Sequence, residues 1–247
     1  MTDAAYRNHK HYLSEGWSSE PKETLKALRA ILEREGVGAG PAVLDVGCAT
    51  GELLGYLSSV FGDGRRVGVD VSEDLLAEGR RLLPDAEFVN GSALGLPRAL
   101  HGQFDVVASF GCMSIFNEIE IDRYWGNVLA AAKPQGLVVV LSPLNEHGVD
   151  AMIRHRKRSD GCLGQWETGW NIFSIETIRD LLAARGLTAR FERFDLPFDL
   201  ARKADPVRTW TMKTEQRDRQ LTNGMKLLID HYFIVVRTRG MHAQISS

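Results

Sequence analysis

The sequence has few cysteines. Cys48, Cys112 and Cys162 are the three among 247 residues, an odd number with no C-x-x-C spacing. Neither a disulfide framework nor a zinc ribbon follows. Long apolar runs are also missing: stretches such as residues 137–141 fall far short of the roughly 18 residues a membrane helix needs. The leading segment, MTDAAYRNHKHYLSEGW, lacks the apolar core of a secretory signal, so a soluble, reducing, cytoplasmic setting is expected. Charge of one sign does not dominate. Thirty lysines and arginines against 32 aspartates and glutamates leave −2, so no nucleic-acid or membrane partner is expected without a local patch. Internal repeats and low-complexity tracts are absent. His9 and His11, two apart in a polar segment, make poor metal ligands, and no metal is expected.

What remains is a globular composition, 44% hydrophobic and 25% charged, with a regular alternation of elements. Residues 21–35 place Leu25, Leu28, Ile31 and Leu32 at helical spacing, with Pro21 at the start and Gly36 as a stop. AVLDV (42–46) reads as a buried strand that ends in a glycine-rich turn. A helix through Leu53, Leu54, Leu57 and Val60 follows, then a strand ending at Asp70 and a helix with Ser72 as its N-cap. Strands at 87–90, 104–110 and 137–143 continue the pattern, with a helix at 121–132 before the last. These strands are apolar runs, as expected when helices cover both faces of a parallel sheet. Beyond residue 143 a polar stretch leads to a helix capped by Ser174, then a strand at 187–194. Residues 197–222 read as loop and surface helix before a final strand at 231–238. The expectation is one α/β domain with a doubly wound, mostly parallel sheet. It divides into an N-terminal helical cap (1–40), a cofactor-binding half (41–143), an acceptor lid (144–173) and a sheet-completing segment (174–247) with an insertion at 197–225.

A glycine turn after the first strand of such a sheet is a nucleotide site by geometry, because the backbone can approach a ligand closely beside free helix N–H groups. The spacing separates the ligands. Gly47, Ala49 and Glu52 stand where a dinucleotide fold has G-x-G-x-x-G, and the glutamate would meet the pyrophosphate. No G-K-[ST] follows, which excludes a P-loop. A ligand with a cation and a ribose fits better: Asp45 can pair with an ammonium group, and Asp70 can accept both ribose hydroxyls. The alternative is that both carboxylates merely cap loops.

Five segments in order carry a specific resemblance: VLDVGCATGELL, VGVDVSEDLLAEGR, FVNGSALGLP, FDVVASFGCMSIF and AAKPQGLVVVLSP. Over residues 40–143 the chain resembles the class I S-adenosylmethionine-dependent methyltransferases. The resemblance implies a seven-stranded sheet with an antiparallel last strand, S-adenosylmethionine as cofactor and S-adenosylhomocysteine as product. It also implies roles by position. Asp45 would order the turn and meet the methionine ammonium, and Gly47, Cys48, Ala49 and Gly51 belong to the turn under the methionine moiety. Asp70 would hold the ribose and Val71 would pack on the adenine. Ser92 and Ala93 would meet the adenine edge, and Ser109 and Phe110 would line the methyl-transfer side. This chain departs from the family with Ala49 for a glycine, Ser92 for an aspartate, Ser114 for a histidine and Gln135 for a glycine.

A hydroxyl acceptor calls for a proton acceptor within hydrogen-bond reach. His147, at the tip after the fifth strand, is the first candidate, with Glu146 and His155 behind it; a solvated loop histidine is the alternative. No [DNS]-P-P-[YFW] motif and no Pro-Cys nucleophile occur, and Cys112 reads as a small packing residue. Acceptor contacts are expected from Tyr12 and Trp17, near Tyr6, and from Trp166 and Trp170 of the lid, beside the basic run 154–158. Alternatively the tryptophans are core plugs and the basic run a solvated face. Segments DLPFDL and RTWTMKTE resemble methyltransferases of surface-polysaccharide assembly. The expected activity is oxygen methylation of a small molecule or glycan by a monomer or homodimer. Nitrogen methylation of a small amine or a protein, or non-catalytic cofactor binding, are the other readings.

Overall fold

The computed structural model describes residues 12–13, 16–17, 19–159 and 161–239. Strand β1 (Val43–Val46) is buried along its whole length and sits at the centre of the sheet. Successive side chains point to opposite faces, so every position is covered only if helices pack on both sides. They do. Val43 joins a core with helices α1 (Glu23–Arg34) and α2 (Glu52–Phe61), whereas Leu44 and Val46 join one with α4 (Ile121–Ala131) and α5 (Ile175–Ala183). Helix α3 (Glu73–Leu82) contributes Leu76 to the first core.

The remaining strands are β2 (Arg66–Asp70), β3 (Glu87–Asn90), β4 (Phe104–Phe110), β5 (Ala132–Asn145) and β6 (Ala189–Phe194). After them come β7 (Trp210–Met212), β8 (Gln220–Thr222) and β9 (Leu228–Arg237). The main order is β3-β2-β1-β4-β5-β9-β6. The first five strands run parallel, whereas β9 pairs antiparallel with β5, from Asp230↔Leu144 to Arg237↔Leu137, and with β6. The expected sheet with an antiparallel last strand is therefore observed. Its strand order reverses between β1 and β4, where right-handed crossovers open a crevice at the carboxyl ends.

Local expectations hold closely at the termini of elements. Gly36 (φ +74°) ends α1, its N–H bonding the Glu33 carbonyl at 3.0 Å. Ser174 caps α5 by accepting the Thr177 N–H at 3.1 Å. Ser72 occupies the N-cap of α3, but its side chain makes no capping bond. One expectation is overturned: residues 197–222 contain no helix. Their regular structure is the antiparallel β7 and β8, which extend the sheet beyond β9 with Leu221 paired to Ile229. Buried Leu221 and Thr222 show why, since these residues find partners on β9 that a surface helix would forgo. No helix among the described residues is long and apolar enough to cross a membrane.

Candidate active site

A cavity of about 620 Å³ lies over the carboxyl ends of the strands. Its first half is built on the turn from β1 to α2. The Gly47 and Cys48 N–H groups bond the Val69 carbonyl at 2.8 and 3.1 Å, tying the turn to β2. Gly47 has φ +81°, and an added Cβ would come within 3.1 Å of the Cys112 Cβ. Gly51 has φ +82° at the N-cap of α2, where a Cβ would lie 2.7 Å from the Phe88 ring. Both positions demand glycine. Ala49 adopts φ +49°, the left-handed conformation that glycine takes at lower cost.

Asp70 fixes the geometry. Its Oδ2 accepts the Ala49 N–H at 3.0 Å and its Oδ1 accepts the Ser72 N–H at 2.9 Å. The carboxylate is thereby held broadside to the cavity, with lone pairs left for a vicinal diol. Asp45, 3% exposed, lies beneath the turn, and no hydrogen bond to its carboxylate is found among the described residues. Burial first, and the Asp70 charge second, push its pKa up to about 8. Burial likewise raises the Cys112 thiol to about 12, so that this wall residue is an uncharged, small lining group.

Of the turn and strand-end residues singled out from the sequence, Gly47, Ala49, Asp70, Val71, Ser92, Ala93 and Phe110 line the cavity. Val71 is 54% exposed there, an apolar surface suited to a flat ring. Ser92 Oγ accepts the Leu94 N–H at 3.2 Å. Asp45, Cys48, Gly51 and Ser109 stand behind the wall. The Ser109 hydroxyl, fully buried, donates to the Val46 carbonyl at 2.9 Å and so bridges β4 to β1 instead of facing a ligand.

The second half of the cavity is walled by the segment after β4 (Ser114, Ile115, Phe116, Asn117, Glu120) and by Pro143 and His231. Tyr12, residues 155 and 168–170 of the segment expected to form a lid, and residues of the 197–225 insertion complete its lining. The lid is a hairpin: Arg154–His155 pairs with Glu167–Thr168, and Arg158–Ser159 with Cys162–Leu163. Arg154, in its first strand, and Arg156, just beyond it, stack on Trp166 at 5.8 and 4.9 Å. His155 and Trp170 line the cavity. The basic run thus splits: two arginines coat an outer tryptophan, while Lys157 bonds Asp205 at 3.1 Å and clips the lid to the second insertion.

Four residues expected to act on the acceptor are placed elsewhere by this geometry. His147 is exposed and lies off the cavity wall, because Asn145 Oδ1 accepts its N–H at 2.8 Å in a turn that curls outward. Glu146 accepts the Tyr232 hydroxyl and is engaged there. Trp17 does not face an acceptor; its Nε1 donates to Thr50 Oγ1 at 3.0 Å and its ring lies on Gly55 of α2. Trp166 is 52% exposed on the outer face. Tyr6, His9 and His11 lie outside the described residues.

The sequence reading missed Asn171, fully buried at the base of the lid. Its side chain accepts the Ile153 N–H at 2.7 Å and donates to the Phe116 carbonyl at 2.8 Å, while its N–H bonds the Ser114 carbonyl at 2.9 Å. It staples the lid to the post-β4 wall and sets Trp170, at φ +66°, on the cavity. Also missed were His231, Lys203 and Arg208. Their signals are single polar residues far apart in sequence, with no shared spacing.

A doubly wound sheet with a glycine turn after β1 and a carboxylate at the end of β2, both facing one crevice, defines a nucleoside-cofactor-binding α/β protein. A profile of the "Methyltransferase domain" family matches residues 43–136. Demethylmenaquinone methyltransferase of Shouchella clausii is 34% identical over 112 residues, covering 42% of this chain and 46% of the relative. The ubiquinone/menaquinone biosynthesis C-methyltransferase of Pseudomonas putida is 35% identical over 121 residues, 46% of each chain. The chain spans about half the length of the curated relatives it matches. Among solved structures, a chain of the complex between the Haloferax volcanii Trm112 methyltransferase activator and a methyltransferase superposes with a TM-score of 0.61. It is 17% identical, with 96% of this chain and 95% of that one covered, a likeness of fold.

Residues 43–136 thus match a methyltransferase domain, and the cofactor that this family uses is S-adenosylmethionine. The residues present fit that cofactor. A buried carboxylate with no counter-charge among the described residues suits its ammonium, the doubly anchored Asp70 suits its ribose, and exposed Val71 suits its adenine.

Proposed function

We propose that this protein transfers the methyl group of S-adenosylmethionine to a small molecule enclosed under its two insertions. The observation that carries this reading is the 620 Å³ cavity, which runs from the Asp70 end to a chamber lined by residues of the lid, of 197–225 and by Tyr12. That volume is in the range of small-ligand sites. The cofactor, when bound, supplies an electrophilic methyl group and its own leaving group. The protein's tasks are alignment and proton acceptance. Asp70 would hold the ribose end and Asp45 the ammonium, and Phe110 and Cys112 line the cavity between them and the chamber.

Oxygen as the methylated atom is supported by two imidazoles on the chamber wall. Burial lowers the pKa of His155 and takes His231 down to about 4, so both are neutral at pH 7 and can accept a hydrogen bond or proton from a hydroxyl. His231 sits opposite Pro143 at the end of β5, beside the strand tip that carries His147. A glycan acceptor loses support, because Trp166, half of the tryptophan pair that favoured a sugar, faces outward. A second reading, methylation at carbon of a ring compound, is favoured by the curated relatives, which are named for menaquinone and ubiquinone methylation.

Calorimetric titration with S-adenosylhomocysteine tests the proposal. Saturable binding is expected, weakened about a hundredfold by Asp70→Ala, which removes a charged acceptor from two hydroxyls and frees the Ala49 and Ser72 amides. Absence of binding to the unaltered protein sinks the proposal.

A further inference from the structure

Helix α2 carries a glycine, Gly55, in its interior. Glycine there destabilises a helix relative to alanine, and Gly55 has no left-handed backbone to call for it. The reason lies outside the helix. A Cβ at Gly55 would stand 2.7 Å from two carbons of the Trp17 ring, so the missing side chain is the seat of that indole. Polar bonds hold the ring and its segment in place. Trp17 Nε1 donates to Thr50 Oγ1 at 3.0 Å, and Lys22 pairs with Glu52 in the first turn of α2. Thr50, 6% exposed, lies between left-handed Ala49 and Gly51 in the turn from β1 to α2. The segment before α1 is therefore anchored on the glycine turn itself. Five residues ahead of Trp17 stands Tyr12, which lines the cavity. Five residues of chain span at most about 17 Å, so an anchored Trp17 confines Tyr12 to the surroundings of that turn.

We infer that Trp17, seated on Gly55, is a positioning residue that holds Tyr12 against bound S-adenosylmethionine, so that the segment before α1 takes part in retaining the cofactor. The inference rests on the methyltransferase reading and adds to it a contact from outside residues 43–136. A tyrosine ring offers a flat apolar face to a ligand. A segment left loose would lose conformational freedom at each binding event, and the Gly55 seat fixes it beforehand.

The test titrates the full chain with S-adenosylhomocysteine, times release of that ligand by stopped flow and measures the denaturant midpoint alongside. In Gly55→Ala the added methyl displaces the indole while the helix gains a better former, so the midpoint should change little. Affinity should nevertheless fall about tenfold, the scale of one lost aromatic contact, mainly through faster release. Trp17→Ala and Tyr12→Ala should each show the same loss. Trp17→Phe, which keeps a ring on Gly55 and gives up the Thr50 bond, should lose less. Once residue 12 is alanine, neither Trp17→Ala nor Gly55→Ala should weaken binding further. Unchanged affinity in Gly55→Ala or in Tyr12→Ala overturns the inference. So does a loss from Trp17→Ala that persists undiminished beside Tyr12→Ala, which would assign Trp17 to bracing the turn alone. These outcomes leave the methyltransferase proposal standing. Failure of the unaltered protein to bind S-adenosylhomocysteine overturns both.

Discussion

In the role proposed for it, Asp45 would make cofactor affinity depend on pH in a direction set by burial. In the ligand-free protein its pKa stands at about 8, against 3.8 for an unburdened aspartate, because it lies beneath the turn beside the Asp70 charge. At pH 6 about one molecule in a hundred carries the ionised form, and at pH 8 about half do. A ligand ammonium stabilises the carboxylate, so binding at pH 6 to 7 must expel close to one proton. Affinity for S-adenosylhomocysteine is therefore expected to rise about fifty-fold from pH 6 to pH 8, with a slope near one decade per pH unit. Of the histidines on the wall, His231 titrates near 4, below this window, and burial moves His155 in the same direction. The sign for stability is opposite. A carboxyl whose folded pKa exceeds its unfolded value favours the fold fully below about pH 4. Stability of the ligand-free protein therefore declines by up to about 1.4 kcal/mol per pH unit as pH rises toward 8. Calorimetry at pH 6, 7 and 8, in buffers of different ionisation enthalpy, counts the released proton directly. Asp45→Asn should bind more weakly at pH 8 and show no slope. Affinity constant within twofold across that range, or parallel profiles for the two proteins, would refute the assignment.

Other perturbations separate the roles of neighbouring residues. Gly51→Ala forces a left-handed alanine against the Phe88 ring and should destabilise the fold by about 2 kcal/mol or more, read as a lower denaturant midpoint. Ala49→Gly relaxes φ +49° and should stabilise the fold by roughly 0.5–1 kcal/mol, net of the entropy glycine adds to the unfolded chain, read as a higher midpoint. His147→Ala should retain full turnover, because the side chain is exposed off the wall, while Trp170→Ala should raise the acceptor KM and Trp166→Ala leave it unchanged. Lys157→Ala cuts a partly exposed bridge, so global stability should change by less than about 1 kcal/mol. Amide exchange across the lid hairpin should nevertheless accelerate.

The parts of the fold that were legible in the sequence are those written by local rules. Apolar runs of strand length, helical spacing in α1 to α5 and the left-handed glycines at positions 36, 47 and 51 each depend on a few adjacent residues. Asp70 was legible because its place at a strand end follows from the strand itself. Residues 197–222 were not, because short strands β7 and β8 owe their form to pairing with β9, and a three-residue strand has no periodicity to detect.

The acceptor chamber was misread for a more general reason. Sequence placed it by chemistry at strand tips, which favoured His147, but a tip residue reaches the cavity only if its loop turns inward. Asn145 settles that by capping the His147 amide and turning the loop out. Similarly, the basic run at 154–158 is contiguous in sequence but divides in the fold: Arg154 and Arg156 stack on Trp166, and neither lines the cavity that the run's position suggested. The cations that do line the chamber, Lys203 and Arg208, lie some fifty residues further on. They come near the lid through a contact as specific as Lys157 to Asp205. Such pairings arise between two insertions whose individual sequences carry no signal of the other. The cofactor half of a class I site is therefore a local inference, and the acceptor half is a tertiary one.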